Sequence, residues 1–173
     1  MSRKVIYDGG SYSTYGDLPT VGSPAPEVSL VNTRLQNVTL ANFAGKRKIM
    51  NIFVSIDRPI CAISVKKFDE FGAGRNDIAM LMISYDLPFA HKRFAEENQL
   101  ENVIGLSAIR HAGFGENYGV QIMEGPLAGM FARAIVVLDE NDTVVHHDYM
   151  EDITKEPDYA AAFRALGIEL EDS

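Results

Sequence analysis

Ile49, Met50, Ile52, Phe53, Val54 and Ile56 make an almost continuous apolar run, the pattern of a central strand covered on both faces. The periodicity changes just after it. Pro59 sets φ for the first turn of a helix and has no amide hydrogen to leave unpaired there, with Arg58 as the N-cap. That helix runs on through Phe71 until Gly72-Ala73-Gly74 stops it. Cys61, Val65 and Phe68 fall at i, i+4 and i+7, so the cysteine lies on the stripe that packs inward.

The flanking segments read in the same way. Val5–Tyr7 and Tyr12–Thr14 around Gly9-Gly10 predict an N-terminal hairpin. Val28–Val31 and Val38–Leu40 predict short strands, and Asn42-Phe43-Ala44-Gly45 a turn. Ile78–Ile83 is a strand, Pro88–Asn98 a helix with Asp86 as its candidate cap, Val103–Ser107 a strand, and Gly113–Tyr118 a short helix. Ala134–Leu138 and Thr143–Val145 form a hairpin about Asp139–Asp142, and a helix from Pro157 to Leu166 precedes an acidic, frayed tail. Alternating strands and helices followed by a hairpin and a last helix predict an α/β fold around one layered core. No repeat or linker divides the chain, so a single domain over residues 1–173 is expected.

Composition narrows the partners. A net charge of −8 argues against a nucleic-acid ligand, whose phosphates need a basic surface. The longest apolar runs are far too short to span a bilayer. Met1-Ser2-Arg3-Lys4 is basic, but Tyr7-Asp8-Gly9-Gly10 follows where a leader would carry its apolar segment. One cysteine excludes an intrachain disulfide and fits a reducing compartment, so the expected location is cytoplasmic. Lys46-Arg47-Lys48 reads as a solvated start to the central strand.

Most alternative chemistries find no support. His146 and His147 are adjacent on a strand and point to opposite faces, His91 and His111 lack ligand spacing, and no metal or cofactor is expected. Gly72-Ala73-Gly74 follows a helix instead of opening one, which makes it a turn and not a phosphate loop. No Gly-x-Ser-x-Gly elbow is present. Phe89, Met82 and Tyr85 read as core or interface surface. Cys61 is the better candidate. It falls third in its helix, among amides without intrahelical acceptors, where the positive end of the helix favours a thiolate.

Several segments in order resemble one family, the bacterial thiol peroxidases, which are the atypical two-cysteine branch of the peroxiredoxins. They are Val38-Thr39-Leu40 with Phe43 to Lys48, Ser55-Ile56-Asp57, Ser84 to Ala90, and Gly125-Pro126-Leu127 with Ala132-Arg133-Ala134. The resemblance implies a thioredoxin-like fold of peroxiredoxin type with an N-terminal β-hairpin, commonly a homodimer. It implies that Cys61 is the peroxidatic cysteine, that Arg133 holds its thiolate, and that an external thiol, a thioredoxin-like protein or a small thiol, is the reductant. The chain departs from the family pattern Pro-x-x-x-Thr/Ser-x-x-Cys at Val54 and Arg58, and Ala95 stands where a resolving cysteine is expected. Arginine has no acceptor, so Arg58 cannot take over the accepting half of the hydroxyl's role, although its charge favours a thiolate. Three readings stay open: a one-cysteine peroxidase reducing hydrogen peroxide or organic hydroperoxides, a catalytically weakened redox sensor or binding protein, and a buried structural cysteine.

Overall fold

The computed structural model describes residues 2–171. Its main sheet has seven strands, β3 (Leu30–Val31), β4 (Asn37–Val38), β5 (Arg47–Ile52), β6 (Ile78–Ser84), β7 (Ile104–Ser107), β9 (Arg133–Leu138) and β10 (Val144–Met150), in the order β10-β9-β5-β6-β7-β3-β4. The central strand β5 runs parallel to β6 and antiparallel to β9. Covered on both faces, it leaves Ile49, Met50 and Ile52 fully buried, as the apolar run predicts.

Helices close the sheet. From α1 (Pro59–Phe71), Phe68 meets Tyr159 and Phe71 meets Phe163 of α4 (Tyr159–Arg164), with ring centroids 5.1 and 5.9 Å apart. α2 (Pro88–Glu97) lays His91 against β7 so closely that a Cβ on Gly105 would stand 2.8 Å from the His91 Cβ. α3 (Phe114–Asn117) adds Phe114, stacked on Tyr118 and touching Phe131. A second sheet joins the hairpin of β1 (Lys4–Tyr7) and β2 (Gly10–Tyr15) to β8 (Gln121–Ile122). The hairpin is pinned to the end of β10: the Ile6 N–H donates to the Glu151 carbonyl at 2.8 Å and the Tyr149 hydroxyl to the Lys4 carbonyl at 2.6 Å.

Four sequence expectations are corrected. The central strand stops at Ile52, whose pairing with Ala134 is the last on its antiparallel side, and residues 53–57 form a connection into α1 in which Phe53, Val54 and Ile56 are buried. Leu40 leaves the strand for a 3-10 turn over Leu40–Phe43, where the Thr39 N–H is taken by Asn42 Oδ1 at 2.8 Å. Lys48 is not solvated but wholly buried, and its ammonium is satisfied by the Lys46 carbonyl and by Asp142 in the β9–β10 turn. Finally, Leu87 and not Asp86 caps α2. α4 begins at Tyr159, capped by Asp158, whose Oδ1 accepts from the Ala161 N–H at 3.0 Å. The end of the expected acidic tail, residues 172 and 173, lies outside the described residues.

Candidate active site

The site begins where β5 ends. Residues 53–57 carry the chain from the sheet to α1, and Asp86 holds them in place. Its carboxylate accepts from the Ile56 N–H at 2.8 Å, the Ser55 hydroxyl at 2.9 Å and the Ser84 hydroxyl at 2.5 Å. Ser84 in turn lies 3.0 Å from His91 Nε2, so the loop, the end of β6 and α2 share one hydrogen-bonded cluster. Burial holds the imidazole of His91 well below its usual range, at about 4, although the nearby Asp86 charge pulls the other way.

Arg58 is the N-cap of α1 in extended backbone, and Pro59 opens the helix as expected. Cys61 follows in the first turn, 0 % exposed, in contact with the core at the inward stripe shared with Val65 and Phe68. Val54, at the family's proline position, is buried too. The Arg58 guanidinium lies over the Tyr7 ring of β1, 5.3 Å from its centroid, and its Nε is buried without a hydrogen-bond partner. The hairpin thus supplies one wall of the site.

Arg133 opens β9 and is 1 % exposed. Its Nη1 donates to the Lys155 carbonyl at 2.5 Å and the Ile153 carbonyl at 3.3 Å, in the segment after β10. The other side of the fork, Nε and Nη2, is buried with no partner among the described residues. Burial lowers the pKa of Arg133 from its ordinary value; the Cys61 thiol, Tyr159 and Glu156 favour its charge and Arg58 opposes it. Cys61, Arg58 and Arg133 are therefore brought into one electrostatic neighbourhood across 75 residues of sequence. An anchored guanidinium with two unpartnered nitrogens, within electrostatic reach of a cysteine, has the donors to hold a thiolate and a second oxygen together.

The other sequence candidates disperse. His147 Nδ1 donates to the Pro19 carbonyl at 2.8 Å, while His146 Nε2 is buried and unpartnered. Among the described residues no group of three or more His, Cys, Asp or Glu is placed to hold a metal ion, and no helix is long and apolar enough to cross a membrane. Met82 is core, Tyr85 lies against Phe131, and Phe89 is 64 % exposed. A groove of about 530 Å³ lined by Phe71, Pro157, Tyr159 and Leu170 does not include Cys61, Arg58 or Arg133. Tyr7, Asp86 and the carbonyls of Ile153 and Lys155 were not legible from local sequence. The one signal for Asp86 was its place just past the carboxyl end of a buried parallel strand, where open α/β sheets collect their functional groups.

A thioredoxin-like sheet with a cysteine at the start of α1 and an arginine fork beside it defines a peroxiredoxin-type protein, and comparison agrees. The redoxin family model matches residues 20–163, and the chain belongs to that family. Within it the chain groups with the thiol peroxidases. It is 46% identical to the thiol peroxidases of Mycobacterium bovis and Mycobacterium tuberculosis over 164 residues, covering 95% of this chain and 98% of each relative. A peroxiredoxin-like protein from Aquifex aeolicus superimposes with a TM-score of 0.88 at 32% identity, covering 95% of this chain and 96% of the other. The thiol peroxidase from Chromobacterium violaceum gives 0.88 at 25% identity, covering 95% of each.

Proposed function

We propose that this protein is a thiol-dependent peroxidase in which Cys61 attacks the peroxide and Arg133 supports the attack. The observation that carries the reading is the Arg133 guanidinium, anchored by two backbone carbonyls through Nη1, with Nε and Nη2 buried and unpartnered and Cys61 within its electrostatic reach. The Cys61 thiolate attacks the distal oxygen of a hydroperoxide; the S–O bond forms as the O–O bond breaks. The leaving alkoxide takes a proton and departs as the alcohol. Sulfur loses two electrons and the peroxide gains them, so Cys61 becomes a sulfenic acid. The free donors of Arg133 meet charge on sulfur and on the departing oxygen, where preorganised donors act most strongly.

An external thiol completes the cycle, because Ala95 occupies the resolving position on α2. The first thiol condenses with the sulfenic acid, releasing water and leaving a mixed disulfide; a second displaces Cys61 and leaves as the oxidised disulfide. The reductant is a thioredoxin-like protein or a small thiol, and the site of action is the cytoplasm. The active form is a homodimer, for which exposed Leu87, Phe89 and Ile109 offer apolar surface.

One equivalent of hydrogen peroxide followed by dimedone should label Cys61, seen by mass spectrometry, at a rate far above that of a free thiol. Reaction no faster than a free thiol would overturn the peroxidase reading and leave the sensor or binding protein.

A further inference from the structure

Arg58 stands where the family pattern has a hydroxyl, and its surroundings say what it is free to bind. Its nearest acid in sequence, Asp57, is engaged with Arg93 at 2.7 Å. Glu156, the carboxylate that acts on Arg133, is held by Lys67 at 2.9 Å and by the Tyr159 hydroxyl at 2.9 Å. Among the described residues no carboxylate forms an ion pair with Arg58 or Arg133. Three guanidinium nitrogens, Arg58 Nε with Arg133 Nε and Nη2, are buried and unpartnered. Arg133 itself is 1 % exposed, so its unpartnered edge is shielded from bulk water.

The charges do not cancel. Two guanidinium cations share the electrostatic neighbourhood of one cysteine, and Arg58 opposes the charge on Arg133. The hydrogen-bonding capacity is also one-sided. A guanidinium donates and never accepts, so a neutral hydroperoxide finds no acceptor for its O–H at Arg58. A carboxylate brings acceptors only and matches the planar fork of an arginine. The Tyr7 ring beneath Arg58 holds the guanidinium by its face and leaves the edge for a ligand.

We propose that Arg58 is a specificity-determining residue that makes the Cys61 site prefer hydroperoxides carrying an ionised carboxylate over neutral ones. The inference rests on the peroxidase reading and names the substrate class of that same site. The distal peroxide oxygen meets the sulfur beside Arg133, and the carboxylate lies against Arg58. The carboxylate takes no part in the redox step, which forms the same sulfenic acid and releases the corresponding hydroxy acid. One negative charge on the substrate brings two arginines and a thiolate to neutrality.

The test uses a matched pair of probes, a short aliphatic hydroperoxide bearing a free carboxylate and its methyl ester. Second-order rates of Cys61 oxidation are measured by rapid quenching, dimedone trapping and mass spectrometry. In the unaltered protein the acid should react about tenfold faster than the ester, a factor of the size one charge-assisted hydrogen bond supplies. Arg58→Thr should bring the ratio toward one, and Arg58→Lys should keep most of it. A ratio near one in the unaltered protein, with the ester still reacting much faster than with a free thiol, overturns the assignment of Arg58 and leaves the peroxidase reading standing. A preference that survives Arg58→Thr overturns it too. If neither probe reacts faster than with a free thiol, the peroxidase reading fails and this inference with it.

Discussion

Arg133 and Asp86 do opposite jobs around Cys61, and single substitutions separate them. Arg133 contributes donors to the reacting atoms in the proposed chemistry. Arg133→Lys keeps a positive charge but loses the fork, so the rate of Cys61 oxidation should fall about tenfold to a hundredfold; an unchanged rate in the trapping assay would remove Arg133 from the chemistry. Asp86 touches no reacting atom and acts through the 53–57 connection it anchors. Asp86→Ala leaves the Ile56 N–H and two hydroxyls without their acceptor, at a cost to folding of about 1–3 kcal/mol. Urea unfolding should show that loss together with slower Cys61 oxidation, and an unshifted midpoint would contradict the anchoring role. The sequence marked Cys61 by local rules alone, since helix start, Pro59 and inward stripe are all encoded within a few residues. Asp86 was misread as a cap because its partners Ser55 and Ile56 lie about thirty residues away, on a neighbouring strand's exit.

At the scale of elements, acidification should weaken the junction of β6, α2 and β7. His91 on α2 is 4 % exposed, beside Ser84 of β6 and Gly105 of β7. Its pKa is lowered by burial to about 4, below the unfolded value of 6.5. As pH falls through 6.5 the unfolded chain takes up a proton that the folded chain refuses. Stability therefore falls between pH 6.5 and about 4, and the change levels off below that window. His111, also lowered by burial, adds in the same direction. Denaturant curves at pH 7 and pH 5 should show the protein losing stability on acidification, and His91→Gln losing clearly less; equal losses would refute the assignment. The strands and helices themselves were largely legible, because β5 and β6 are continuous apolar runs and α1 carries a clean helical stripe. Leu40 was not, since one side-chain bond from Asn42 tips it out of a strand.

For the whole molecule, the missing second thiol has a simple consequence. With one cysteine in the chain, oxidised Cys61 has no internal partner. Excess peroxide without a thiol should carry Cys61 on to sulfinic acid, while peroxide with a small thiol should give a mixed disulfide, both read by intact mass. Cys61 remaining a thiol through both treatments would contradict the redox role. Two contacts that complete the site also belong to this scale. The N-terminal hairpin is docked on the end of β10, which sets Tyr7 under Arg58, and the segment after β10 returns two carbonyls to Arg133.

Local sequence determined which segments are strands and helices and where the cysteine sits in its helix. Those features depend on residues that are neighbours along the chain, through backbone preference and the spacing of apolar side chains. Family likeness pointed to Arg133 and to the three departures, Val54, Arg58 and Ala95. Tertiary structure decided how the site is wired. It buried Lys48 against Asp142, turned Asp86 from a cap into an anchor, stacked Arg58 on Tyr7, and left one edge of Arg133 open. Each of these depends on which groups burial deprives of water. A group so deprived takes whatever partner the fold brings to it, and periodicity along the chain carries no record of that partner.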